Sequence, residues 1–207
     1  MQFRITTKEE PIRSIIESGV RTFYDEISRY MLHNNDYEVL QYSNEQTLAA
    51  MFVYGLIRNS GDRQITALQE YGAEFETGSY GRPDIFLRVD DLAMFIECKY
   101  DKTKSFRGDH WNIDKWLAWD KEAIFNQCLN YYTAEKLNET YVGGHYVSTM
   151  VFKLISRKEH TSEVEAKMIL AEIVQADRDW YYAYKEFTES EKYSGLEVYG
   201  TFKRMNS

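Results

Sequence analysis

Two adjoining stretches of the chain alternate residue types with the period of a β-strand. Ile85, Leu87 and Val89 alternate with Phe86 and Arg88, and Leu92, Met94, Ile96 and Cys98 alternate with Ala93, Phe95, Glu97 and Lys99. Asp90-Asp91 between them suits a two-residue turn, so residues 83–100 are predicted to form a β-hairpin. Elsewhere the spacing lengthens to that of a helix. Ile12, Ile15, Ile16, Val20, Phe23, Ile27, Tyr30 and Met31 predict an amphipathic helix over 9–33, with Pro11 in its first turn. A second helix is predicted to begin after Ser43, which has capping-box spacing to Gln46. It carries Leu48, Met51, Phe52, Tyr54 and Leu56 and ends at Asn59-Ser60-Gly61. Residues 72–80 suit a short first strand with a loop. A long helix is expected from about Asn112 to Lys136, a strand from His145 to Ile155, and a further helix over 161–188 with Val164, Met168, Ile169, Ile173, Trp180 and Tyr184 near one face. That order predicts an α/β fold with a central mixed β-sheet flanked by helices, including extra N- and C-terminal helices. Pro11 and Pro83 are the only prolines, and no linker or repeat interrupts residues 1–207, so a single domain is expected.

The hairpin has a definite geometry. With Asp90-Asp91 as the turn, Val89 faces Leu92 and Asp84 falls opposite Glu97. Opposed side chains share a sheet face with Cβ atoms roughly 4.5–5.5 Å apart. Lys99, two residues beyond Glu97, shares that face. The other face is apolar throughout, from Ile85 to Cys98, and a one-residue slip would destroy both patterns together. Two opposed carboxylates repel, so Lys99, a proton or a divalent cation must offset them. Hard oxygen donors suit Mg2+ or Mn2+. The plain alternative is a solvated hairpin face whose charges only keep the surface soluble.

Bulk properties limit the classes of function. Hydrophobic residues form 43% of the chain and charged residues 28%, which fits a folded globular protein. No apolar run reaches membrane-spanning length, and the N-terminal residues lack the apolar stretch of a signal peptide, so no membrane role and a cytoplasmic location are expected. Cys98 and Cys128 are too few for a disulfide framework or a four-cysteine zinc site, and His33, His110, His145 and His160 lack metal-ligand spacing. A net charge of −8 argues modestly against non-specific gripping of phosphates by the whole surface. It leaves a carboxylate-based metal site open, because bound cations reverse the local field.

Pro83-Asp84, followed after an interval by Glu97-Cys98-Lys99, resembles the signature of the PD-(D/E)XK nuclease superfamily, in which an acidic pair and a lysine sit on such a hairpin. Gln127-Cys128-Leu129-Asn130-Tyr131 on the next predicted helix looks like the Gln-x-x-x-Tyr motif of the RecB-like branch, and Gln127 and Tyr131 would project from one helix face. Many members also carry a glutamate on the helix before the sheet, where Glu45 stands here. The resemblance spans about residues 43–155. It implies a restriction-endonuclease-like core with the order helix, three strands, helix, strand, and a nuclease domain hydrolysing phosphodiester bonds, with DNA as its partner, in defence, repair or mobile-element biology.

By that resemblance Asp84, Glu97 and the main-chain carbonyl of Cys98 hold Mg2+, or Mn2+. Lys99 orients or deprotonates the attacking water, and Glu45, Gln127 and Tyr131 complete the catalytic group. Lys102, Lys104 and Arg107, with Phe106 and Trp111, make a basic, aromatic loop beside the site that suits a nucleic-acid backbone, and Arg82 and Tyr80, which precede Pro83, are further candidates to contact substrate. Each has a plainer reading: Glu45 favouring a helix dipole, Gln127 and Tyr131 as ordinary helix residues, the basic loop as solvated surface. The rival from another class is a non-catalytic nuclease-like module that binds nucleic acid or protein. A homodimer or a partner protein is compatible with double-strand cutting.

Overall fold

The computed structural model describes residues 1–34, 40, 43–69, 73–74, 80–81, 83–102, 144–157 and 179–205. Two helices, α1 (Glu10–Asn34) and α2 (Glu45–Arg58), lie against a mixed sheet. Its strands are β1 (Gln2–Ile5), β2 (Ile65–Gln69), β5 (Ile85–Val89), β6 (Leu92–Lys102), β7 (Gly144–Ser156), β8 (Asp179–Glu186) and β9 (Tyr193–Met205). They are ordered β1-β8-β9-β7-β6-β5-β2. Two short strands, β3 (Ala73–Glu74) and β4 (Tyr80–Gly81), pair with each other outside that sheet. Among the described residues, only β6 and β7 run parallel, and the other neighbouring strands are antiparallel. The architecture is therefore the expected mixture of helices and a mixed sheet.

The helices cover one sheet face because the period-two rows on that face are apolar. Met94, Ile96 and Cys98 of β6, Met150 and Phe152 of β7, and Leu196, Val198 and Phe202 of β9 share one buried core with Ile12, Ile16, Phe23 and Ile27 of α1. The Phe23 ring packs on Phe152 with centroids 5.1 Å apart. The Tyr24 hydroxyl lies 2.9 Å from the Leu196 carbonyl oxygen and 3.1 Å from that of Ala183, locking α1 to β8 and β9. The helices meet through glycines. A methyl at Gly19 would fall 2.6 Å from the Phe52 ring, and one at Gly55 would fall 2.8 Å from Thr22 Oγ1.

Several expectations are corrected. Asn44, not Ser43, caps α2: its side-chain oxygen accepts the Thr47 N–H at 2.8 Å. The first strand of the main sheet after α2 is Ile65–Gln69, earlier than 72–80, where the small β3–β4 pair lies. The predicted C-terminal helix over 161–188 fails at its end, because Asp179–Glu186 is strand β8. Trp180 and Tyr184 are four apart, a spacing that puts them on one face of a helix or of a strand alike, and the aromatic run Trp180-Tyr181-Tyr182 favours the strand. Strands β1 and β9 were not anticipated. The predicted helix over 112–136 and residues 161–178 lie outside the described residues. Among the described residues, no helix is long and apolar enough to cross a membrane.

Candidate active site

The hairpin has the register the sequence requires. Val89 pairs with Leu92, Leu87 with Met94 and Ile85 with Ile96. Asp90 takes φ 51° in the turn, a left-handed conformation that Asp tolerates better than most residues. Ile85, Leu87, Val89, Leu92, Met94, Ile96 and Cys98 are all buried in the core with the helices. The opposite face is buried around Glu97, where Phe86, Ala93 and Phe95 have little exposure and the Phe86 and Phe95 rings lie 5.2 Å apart, while Arg88 of the same row is exposed. The solvated-face alternative therefore fails for Glu97, which is only 3% exposed.

Pro83-Asp84 has a backbone role at the strand end. Extending the register sets Pro83 against Cys98, and proline has no N–H to give the ladder. The Cys98 N–H donates to Asp84, whose Oδ2 accepts it at 2.6 Å. The buried Cys98 side chain points to the core, where burial pushes its thiol well above the usual range.

The charged residues gather here from three elements. Lys99 Nζ donates to Glu97 Oε1 at 2.8 Å and lies 3.9 Å from Glu45 Oε1, the first residue of α2. Burial raises the Glu97 carboxyl to about 7; the hydrogen bond from Lys99 opposes that shift, and the charges of Asp84 and Glu45 reinforce it. Burial pulls the Lys99 ammonium down, but the bond to Glu97 and the charges of Glu97, Glu45 and Asp84 more than offset it, leaving Lys99 above its ordinary value. Lys99 is therefore an ammonium at neutral pH, while Glu97 is the group poised to exchange a proton there. Glu97 Oε2 is buried and has no hydrogen-bond partner.

Hard carboxylate oxygens, one of them buried without a donor, are the donor chemistry that Mg2+ requires. As they stand, no three acidic, cysteine or histidine side chains among the described residues converge on one cation position. Asp84 is turned toward the Cys98 amide and Glu97 toward Lys99.

The structure thus brings Glu45, Asp84, Glu97, Lys99 and the Cys98 backbone together. Lys102 is the last residue of β6, and nothing further is described of it. Gln127, Tyr131, Arg82, Lys104 and Arg107 lie outside the described residues. Sequence reading missed Thr149, the parallel partner of Glu97 on β7, whose buried hydroxyl sits 3.1 Å from that of Thr201. A parallel partner across a long connection leaves no local signal.

The raised Glu97 value has a measurable consequence. The unfolded carboxyl titrates near 4.5 and the folded one near 7, so the protonated form is favoured by folding. Its contribution is full below pH 4.5 and is lost as pH rises through about 7. The loss is on the order of 3 kcal/mol. Between pH 5 and pH 8 in EDTA, wild type should lose more thermal stability than Glu97→Gln. Equal losses in the two proteins would show that Glu97 titrates normally.

The chain matches no protein-family model, and no curated protein or solved structure matches it.

Proposed function

We propose that this chain is a metal-dependent nuclease of the PD-(D/E)XK type with a restriction-endonuclease-like core, acting on DNA in the cytoplasm. The observation that carries the reading is the meeting of Glu45, Asp84, Glu97 and Lys99 at one end of a hairpin whose register follows from its apolar face. The order α2, β2, β5, β6, then a strand parallel to β6, also accords with the helix–three strands–helix–strand order of that superfamily in its described parts.

Asp84, Glu97 and the Cys98 carbonyl would hold Mg2+ or Mn2+, and the bound cation would acidify a water and neutralise phosphate charge. The remaining work falls to the chain itself. Lys99 donates from its ammonium to the attacking water or to the phosphate oxygens and stabilises the negative charge that grows as the water oxygen bonds to phosphorus. Because Lys99 is held protonated, orientation and charge stabilisation fit it better than the role of base. The bond from phosphorus to the 3′ oxygen breaks, and that oxygen leaves with a proton, giving 5′-phosphate and 3′-hydroxyl ends. Glu45 adds negative charge beside Glu97 and strengthens the pull on a cation.

The second reading is a nuclease-like binding module without cleavage. The inward engagement of Asp84 and Glu97, with a net charge of −8, favours it.

The test is cleavage of circular, linear and single-stranded DNA in Mg2+, Mn2+ or EDTA, with Mn2+ binding followed by calorimetry. Metal-dependent cutting that disappears in Asp84→Asn is expected, and circular against linear preference separates interior from end cutting. Absence of both cutting and Mn2+ binding would overturn the nuclease reading and leave the binding module.

A further inference from the structure

Tyr100 follows Lys99 on β6, so its side chain leaves the sheet on the opposite face and packs against the helix-covered core. Its hydroxyl donates to the Leu40 carbonyl at 2.6 Å. The same carbonyl accepts the Ser43 N–H at 3.2 Å, and the Leu40 side chain is itself buried. Next in the chain, Asn44 caps α2 by accepting from the Thr47 N–H and hydroxyl, both at 2.8 Å. Glu45 then opens the helix. A short path of hydrogen bonds therefore runs from the residue beside Lys99, through one carbonyl, to the start of α2. At its far end the Glu45 carboxylate returns to within 3.9 Å of Lys99 Nζ. Glu45 is partly exposed and belongs to a different element from Asp84, Glu97 and Lys99, so its place at the site depends on where α2 begins.

We propose that Tyr100 is a positioning residue for Glu45: its hydroxyl, through Leu40, fixes the start of α2 so that Glu45 stands with the carboxylates of Asp84 and Glu97 around a divalent cation. The inference rests on the cation site proposed above. Groups that orient metal ligands without touching the metal commonly change affinity by about 10–100-fold when removed. Tyr100→Phe keeps the ring and its packing and deletes only the hydroxyl, leaving Leu40 with the Ser43 donor. A purely structural role would lower stability without regard to which carboxylate is present.

The experiment is calorimetric titration of MnCl2 at pH 8 into wild type, Tyr100→Phe, Glu45→Gln and the double variant, with melting in EDTA to establish that each is folded. Tyr100→Phe and Glu45→Gln are each expected to weaken Mn2+ binding about tenfold. The double variant is expected to bind no more weakly than Glu45→Gln alone, because the hydroxyl has nothing to position once the carboxylate is gone. Unchanged affinity in Tyr100→Phe, or an equal loss in the Glu45→Gln background, would overturn the proposal while leaving the cation site intact. Absence of Mn2+ binding by wild type would instead remove the cation site, and the positioning role with it.

Discussion

Replacing Lys99 with methionine is expected to lower Mg2+-dependent DNA cleavage by roughly 10²–10³-fold while the protein stays folded. Methionine keeps much of the apolar stem, which is the part of a lysine that packs, and removes only the ammonium. Two effects then act together. The phosphate loses the donor that meets its growing charge, and Glu97 loses the one hydrogen bond that holds its carboxyl down against burial and the charges of Asp84 and Glu45. Glu97 should therefore titrate above about 7 in the variant, and Mn2+ binding should require a higher pH than in wild type. Lys99→Arg should not restore the rate, because a broad planar guanidinium replaces a compact ammonium. Single-turnover cleavage alongside calorimetry at pH 8 separates the two effects: retained Mn2+ binding with lost cutting places Lys99 in the chemistry. Cutting at the wild-type rate in Lys99→Met would take Lys99 out of it.

The site was legible where local pattern and register determine geometry. The alternation from Ile85 to Cys98 leaves one way to bury the apolar row, and that register sets Asp84 and Glu97 at the same end. The detail it could not provide is the direction of the carboxylates. Asp84 turns to the Cys98 amide and accepts its N–H, a matter of main-chain hydrogen bonding and not of charge. Burial of Glu97 was equally hidden: its neighbours Phe86, Ala93 and Phe95 give that face an apolar character which the reading of charges alone overlooked. The C-terminal region was misread for a different reason. Tyr181 and Ala183 face the core while Tyr182 and Tyr184 lie on the other side, so the run is aromatic on both faces of β8 and shows no clean alternation. On β9 the row Leu196, Val198, Phe202 is interrupted by Gly200, which hides a period-two signal. In both cases pairing with distant strands decides the structure, and such pairing is invisible in a local window.

That interruption at Gly200 carries the largest expected effect on folding. A methyl group at Gly200 would stand 1.8 Å from the Thr149 carbonyl oxygen and 2.6 Å from the Tyr181 hydroxyl. The hydroxyl is there for a reason: Tyr181 pairs with Gly200 across β8 and β9, and its ring passes over the glycine so that the hydroxyl donates to Thr149 O at 2.9 Å. On the other face the Thr201 N–H donates to Thr149 Oγ1 at 3.1 Å. The obstacle at Gly200 is a backbone atom in the sheet centre, which no rotamer change can move aside. Overpacking usually costs about 1–3 kcal/mol, and a clash with main chain belongs at or above the top of that range. Against a domain stability of about 5–15 kcal/mol, Gly200→Ala should shift the urea midpoint far down or leave the protein insoluble. Tyr181→Phe, which empties space, should cost only about 0.5–1.5 kcal/mol for one lost hydrogen bond, because the Ser148 hydroxyl also donates to Thr149 O at 3.3 Å. The consequence reaches the candidate site, because Thr149 is also the parallel partner of Glu97. A β9 forced away from β7 would loosen the strand that backs Glu97, so any soluble Gly200→Ala protein should bind Mn2+ more weakly as well. A Gly200→Ala midpoint within error of wild type would show that β9 can step back from β7 at little cost, and that the centre of the sheet does not hold Glu97 in place.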